Sequence, residues 1–477
     1  MYRPLMLYRF LCMGALCSWS IWSHAADQPP RAQAASGPLE QARPTRPGPP
    51  RWIEDYRFLD DPSRRTDAFD GLRFNRLSES AWLQIGGDLR YRYDVNERPF
   101  FGLRGLRDDS YLQQRAMLHA DLHLFDDALR TFVQLANTRS WGKDLTAPTD
   151  ESRTDVQQAF IDGNLNTDSG RLTLRAGRQE LYFGNMALVT VRDIPNIRRS
   201  FDGFKLAWSG RDGRRLDLFA ARPVALDAEG SFNDGTDNNQ RFFGAYGTLP
   251  ITSALSVDLY ALGLQTEQRS LAGLAGQEDR YSVGARLFGA SGGFDWTWDL
   301  VGQFGDLDGQ DIRAWGVSSD SGYRFADAWD TRLGMRIDAA SGDRDPGDGK
   351  LQTFDPLYPN NGWYGEIGLT TLSNIILAGP TLSLAPTPSL RLEPGVFAVW
   401  RESTDDAIYT PGMVPVPGSQ NVDERYTGTI YRVNLRWKVT TNITLDGDYN
   451  YYDVGSAIRE VGGTDAQFVS VRTTFRF

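Results

Sequence analysis

Sixteen basic residues are spaced so that an extended chain would gather them on one face: Arg90, Arg92, Arg115, Arg171, Arg175, Lys205, Arg215, Arg280, Arg286, Arg332, Arg336, Arg432, Arg436, Lys438, Arg472 and Arg476. Nine acids share that parity, namely Asp88, Asp121, Asp162, Asp217, Asp295, Asp299, Asp338, Asp446 and Asp448. Side chains alternate across a strand, so parity decides the face, and the opposite parity here is apolar. Guanidinium groups gathered in a narrow, low-dielectric space attract carboxylate or phosphate and can bind it in pairs of hydrogen bonds. Interleaved aspartates hold them in place and keep the field from trapping what passes. Sixteen bases against nine acids leave a surplus of seven, which favours an anion path. The competing reading is a ladder of salt bridges that merely cross-links strands. The expected contacts with a passing anion are Arg90, Arg92, Arg115, Arg175, Arg286, Arg336, Arg432 and Arg436.

Such a face needs strands closed on themselves, and the connections have the rhythm of a transmembrane β-barrel from about Ala81 to Phe477. Short links read as Asp126–Ala128, Asn166–Gly170, Ser209–Gly213, Leu249–Ser253, Ala290–Gly293, Phe325–Trp329, Ala378–Thr387 and Val439–Asn442. Long ones read as Val95–Asp109, Trp141–Ser152, Glu180–Ser200, Val224–Gln240, Thr266–Glu278, Gly342–Gly362, Glu402–Arg425 and Val454–Asp465. Only Gly305–Gly309 is short where a long link is due. Outer-membrane barrels have tight periplasmic turns and longer external loops, so the alternation assigns the sides and counts about 18 strands in an all-β, antiparallel barrel, with both chain ends periplasmic. Mean hydropathy of -0.43 agrees, since only every other residue of a barrel strand meets lipid.

The chain divides at 1–25, 26–50, 51–80 and 81–477. Arg3 and Arg9 precede the apolar run Phe10–Trp22, and Ser23-His24-Ala25 offers a signal-peptidase site, so 1–25 reads as a signal peptide. Cys12 and Cys17 both leave with it. Net charge is -10 for the whole chain, and losing Arg3 and Arg9 takes it to about -12, so the acidic excess belongs mainly to loops. Residues 26–50 are Pro/Ala/Arg-rich and read as a flexible segment. Residues 51–80 carry Trp52, Tyr56, Phe58, Phe69 and Phe74 and are expected under or just inside the barrel mouth. At the other end Val469, Val471, Thr473, Phe475 and Phe477 alternate with Ser470, Arg472, Thr474 and Arg476, a strand ending in the aromatic that outer-membrane assembly machinery reads.

Other chemistry finds little support. His119 and His123 would lie about 13 Å apart on one strand face, too far to share a metal ion. No serine has a triad-like setting, and there is no nucleotide-binding motif. The acidic run at 341–349 lacks EF-hand spacing. An enzyme, a cofactor, a metal site and a nucleic-acid partner are therefore not expected. The expected partners are an anionic polysaccharide or oligosaccharide, outer-membrane lipid and the assembly machinery, with the protein a monomer in the outer membrane of a Gram-negative bacterium.

Three segments carry a family resemblance: RWIEDYRFLDDPSRRTDAFDGLRFNRL from Arg51, GRQELYFGNMALVTVRDIPNIRRSFDG from Gly177, and FDPLYPNNGWYGEIGLTTLSN from Phe354. With them the chain resembles the alginate-export family of outer-membrane proteins over nearly all its mature length. The resemblance implies an 18-stranded barrel with an arginine-rich pore for an acidic polysaccharide such as alginate. It draws Arg178, Gln179, Arg192, Asp193, Asn196 and Arg199 into a candidate pore loop, with Arg192 and Arg199 on a segment folded towards the pore. A general small-anion or oligouronate uptake porin, and a plugged structural or adhesive barrel, are the alternatives.

Overall fold

The computed structural model describes residues 50–477; the expected signal peptide and nearly all of the 26–50 segment lie outside the described residues. From Ala81 onward the chain forms a closed antiparallel barrel of 18 strands. Its first half comprises β1 (Ala81–Glu97), β2 (Asp109–Leu124), β3 (Leu129–Trp141), β4 (Ser152–Asn166), β5 (Gly170–Gln179), β6 (Phe201–Gly210), β7 (Arg215–Ala225), β8 (Gln240–Pro250) and β9 (Leu255–Leu271). The second half comprises β10 (Leu274–Ser291), β11 (Phe294–Leu307), β12 (Gln310–Arg324), β13 (Arg332–Ala340), β14 (Ile375–Thr387), β15 (Leu390–Trp400), β16 (Tyr426–Lys438), β17 (Ile443–Val454) and β18 (Ala466–Arg476). The seam closes where β1 pairs with β18, from Asp88 opposite Arg476 to Glu97 opposite Gln467. Closure leaves no unpaired edge, which a bilayer requires.

Parity sorts the two faces. On β1 the side chains of Arg90, Arg92 and Asp94 are buried inside, while Tyr91 and Tyr93 are exposed outside. On β13 Arg336 and Asp338 point in, and Leu333, Met335 and Ile337 point out. Exposed apolar residues such as Leu118, Leu174, Phe204, Trp298 and Val471 therefore form the lipid surface.

Two connections depart from the sequence reading. The expected long link Thr266–Glu278 is instead an extension of β9 and β10, paired as far as Leu271 opposite Leu274 after a bulge between Thr266 and Arg269. Its tip, Ala272–Gly273, takes φ of 52° and 83°, the double left-handed turn that matches strand twist. The expected short link Ala378–Thr387 is itself strand β14, and the turn is Pro388–Ser389. Pro380 and Pro386 read as loop because proline lacks a ladder donor, yet the β14–β15 pairing is irregular and accommodates them. The loop before β14 accordingly runs from Ser341 to Asn374.

Loops fill the external half of the lumen. Leu181, Phe183, Leu188 and Val189 of the 180–200 loop and Tyr358, Ile367 and Leu372 of the 341–374 loop pack with wall residues Phe201, Phe242, Phe397 and Tyr452 in one apolar core. The two loops also pair through backbone: Thr190 N–H donates to Tyr358 O (3.0 Å) and Tyr358 N–H to Leu188 O (2.9 Å).

Candidate functional site

The 180–200 loop folds inward because wall arginines capture its carbonyls. Arg90 donates to Asp193 O (2.8 Å) and Pro195 O (3.2 Å), and Arg92 donates to Ile194 O (2.6 Å). Arg115 donates to Asp193 O at 3.4 Å and to its carboxylate at 2.7 Å. Asn196, fully buried, donates its amide to Gln114 O, Arg139 O and Asp150 O at 3.0, 3.1 and 2.8 Å. At the loop base Glu180 accepts from Gln157 and from Arg198 (2.8 Å). Burial pushes the Glu180 carboxyl up to about 7 against the pull of Arg198, with Asp193 adding to the rise.

The 341–374 loop is held in the same way. Arg432 donates to Gly362 O (3.1 Å) and Trp363 O (2.8 Å) and has no carboxylate within ion-pair distance among the described residues. Glu366 receives Arg472 at 2.9 Å and Arg92 at 3.2 Å. Arg336, bonded to Asp338 (2.7 Å), lies 4.2 Å beneath the Trp363 ring. The tips meet at Ile194 and Gly362, where a Cβ on residue 362 would come within 2.4 Å of Ile194 Cδ1. A bulkier residue there would displace the end of the Ile194 side chain.

Below the loop tips a cavity of about 770 Å³ reaches the periplasmic turns at Pro388 and Ser389. Seven bases line it, among them Arg391, Arg432, Arg436 and Arg472, against six acids that include Asp193, Glu366 and Asp446. A second chamber of about 180 Å³ opens beside it at the seam and shares Asp193, Glu366, Arg436, Asp446 and Arg472. Seven arginines and four acids line that one, so it is the more positive of the two.

On the side of β1–β6 the rest of the periplasmic half is filled by residues 51–59, joined by Arg73 and Phe74. Arg51 bonds Gly87 O (3.1 Å), Phe477 O (2.8 Å) and Asp88, while Glu54 pairs with Arg476. Trp52 packs edge-on against Phe160, and Arg175, bidentate to Asp162, lies 3.9 Å from the Trp52 ring and 3.6 Å from Phe160. Phe69 packs against Phe475 and Phe477 at 5.6 and 5.4 Å, covering the terminal aromatic.

The sequence candidates thus separate. Arg432 and Arg436 line the open cavity, and the Arg436 side chain is 48% exposed. Arg90, Arg92 and Arg115 are buried under the loop they hold, and Arg175 is buried under Trp52. Arg286 is bonded to Asp258 (2.7 Å) and stacked on Phe288. Arg178 lies on the face of β5 opposite Arg175 and pairs with Asp202 at 2.8 Å, and Gln179 is buried against Gly177 O and Gly203 O. Arg192 and Arg199 make no ion pair among the described residues, and Arg199 lies 4.6 Å from the Tyr358 ring. Burial lowers Arg192 to about 10, and burial together with repulsion from Arg192 lowers Arg199 to about 9. Sequence reasoning missed Glu366 and Trp363. Both lie inside the stretch that carries the family resemblance, which was the available signal. Among the described residues no three His, Cys, Asp or Glu side chains gather as a metal site.

A closed barrel with an apolar outer band, a charged lumen and inward loops defines an outer-membrane channel of a Gram-negative bacterium. The chain belongs to the alginate export family, whose model matches residues 81–472. No curated protein matches it in sequence. Its fold is similar to that of Pseudomonas aeruginosa OccD3 (OpdP), with a TM-score of 0.56 at 13% identity, over 85% of this chain and 93% of that one. P. aeruginosa OpdO gives 0.55 at 12% over 83% and 97%, and Acinetobacter baumannii OccAB1 gives 0.56 at 11% over 83% and 96%.

Proposed function

We propose that this channel passes an anionic saccharide chain, such as a polyuronate, passively across the outer membrane. The observation that carries the reading is the cavity from the periplasmic turns to the loop tips, with Arg432, Arg436 and Arg472 on its wall and Trp363 at its end. Guanidinium groups there meet carboxylates, and the Trp363 ring offers a flat apolar face to a sugar. In this reading Arg90, Arg92 and Arg115 act through the loop they hold, and Arg336 acts through Trp363. Arg175 and Arg286 stiffen the wall. The chain works as a monomer, without chemistry on its cargo, and its last strand is what the assembly machinery reads.

In planar bilayers under a salt gradient, the reversal potential should report anion preference, and an oligouronate should reduce the current more than a neutral oligosaccharide of equal length. Cation preference, or equal effects of the two sugars, would count against this reading. Cavity size favours a second reading, uptake of short oligouronates, because about 770 Å³ falls within the roughly 300–1,000 Å³ of small-ligand sites. Passage of short but not long polyuronates through reconstituted vesicles would select it.

A further inference from the structure

Asp193 stands out among the acids of the lumen because its side chain is 57% exposed while the bases around it are buried. Its Oδ1 lies 2.7 Å from Arg115 Nη2 and 3.6 Å from Arg198 Nε, and its Oδ2 lies 3.9 Å from Arg90 Nη1. Arg90, Arg115 and Arg198 are each no more than 5% exposed. The Nε of all three has no hydrogen-bond partner among the described residues. Three desolvated guanidinium groups converge on one carboxylate, Arg115 by a hydrogen bond and Arg198 and Arg90 by charge at 3.6 and 3.9 Å, and the positive chamber of about 180 Å³ opens beside it. Enclosure in the barrel raises the Asp193 pKa, but Arg115, Arg198 and Arg90 outweigh that and hold it well below the usual carboxylate range, so it stays ionised.

We propose that Arg90, Arg115 and Arg198 form a carboxylate subsite that the Asp193 side chain occupies as a built-in stand-in, to be displaced by a carboxylate of the cargo. This deepens the anion-passage reading and rests on it. The cargo carboxylate takes up the guanidinium contacts that Asp193 gives up, so neither state leaves those buried guanidinium groups uncompensated. The backbone need not move. The carbonyls of Asp193, Ile194 and Pro195 are held by Arg90, Arg92 and Arg115, so displacement is a side-chain rotation. An internal competitor also weakens net affinity, which lets cargo leave as readily as it arrives.

The test uses the full barrel in planar bilayers with D-glucuronate as probe and D-glucose as neutral control. Asp193→Asn should move the reversal potential towards chloride and lower the half-blocking glucuronate concentration by about tenfold, the order expected when one competing charge-assisted bond is removed. Glucose should behave alike in both channels. Adding Arg115→Gln to Asp193→Asn should erase the gain, with heat-modifiable migration confirming a folded barrel in each case. Unchanged or weaker block in Asp193→Asn, or a rise in conductance without a change in selectivity, overturns the proposal. A wild-type channel that glucuronate never blocks would sink the passage reading, yet block appearing in Asp193→Asn would still support the stand-in.

Discussion

Two halves of the periplasmic lumen carry the same sequence signature and come out differently. Along β1–β6 the inward charges are zipped to one another and covered: Arg175 to Asp162 beneath Trp52, Arg130 to Asp121, and Arg51 to Asp88 and Phe477 O. Along β11–β17 the wall is just as charged, yet the cavity of about 770 Å³ stays open over Arg391, Arg432 and Arg436. The walls do not differ in kind; what lies over them does. Residues 51–59 with Arg73 and Phe74 fill one half, and no segment of the described chain fills the other. A desolvated cation between two rings, as Arg175 is, gains about 2 kcal/mol from them, so the filled half is a structural block.

The largest effect is expected at the loop dividing the barrel. Deleting Ile194–Arg199 should raise single-channel conductance several-fold and weaken ion selectivity together, because the segment carries the Ile194 tip and the Asn196 anchor. Unaltered conductance in a folded deletion channel would put the constriction elsewhere.

Next in size is charge reversal in the open half. Arg432→Glu with Arg436→Glu should move the reversal potential towards the cation limit. Arg175→Gln, beneath Trp52, should leave selectivity nearly unchanged while lowering thermal stability. If both substitutions moved the potential alike, the distinction between a covered and an open half would fall.

On the filled side, Arg51→Ala should loosen the seam. It leaves Asp88 and the carbonyl of Phe477 without their shared partner, and breaking a buried pair costs about 3–5 kcal/mol, which should appear as an earlier heat-modifiable transition. A transition temperature within error of the parent would show that residues 51–77 do not brace the seam.

The smallest effect concerns pH at the loop base. The Glu180 carboxyl is raised from 4.5 to about 7, so the protonated form is favoured by the fold. Its stabilising contribution is full below 4.5 and is lost as pH rises through about 7. Current noise from the loop should therefore grow between pH 5 and 8, and Glu180→Gln should flatten that dependence. Noise that grew equally in both channels would assign the titration to another group.

Much of the barrel was legible from residues alone. Period-two alternation on β1, β13 and β18 fixes which side chains meet lipid, since reversing parity would put arginines into hydrocarbon. Most turns were legible because Gly, Asn and Asp cluster at them. β14 was not, because Pro380 and Pro386 mimic a loop and the irregularity that tolerates them depends on its partner β15. The site was half legible. Parity identified bases facing inward but not their fates, and the surplus of seven left out inward strand acids such as Asp94, Asp258, Glu278 and Asp320 as well as the acids that loops bring, Asp193 and Glu366 above all.

By itself, then, the sequence determined the period, the strand number, the polarity of the two faces and the family, all of which are local or additive along the chain. Only the tertiary structure decided which arginines clamp a loop, which lie beneath Trp52 and which face open space. Those fates depend on contacts between residues as distant as Arg90 and Pro195, or Arg51 and Phe477, which a pattern of period two does not encode.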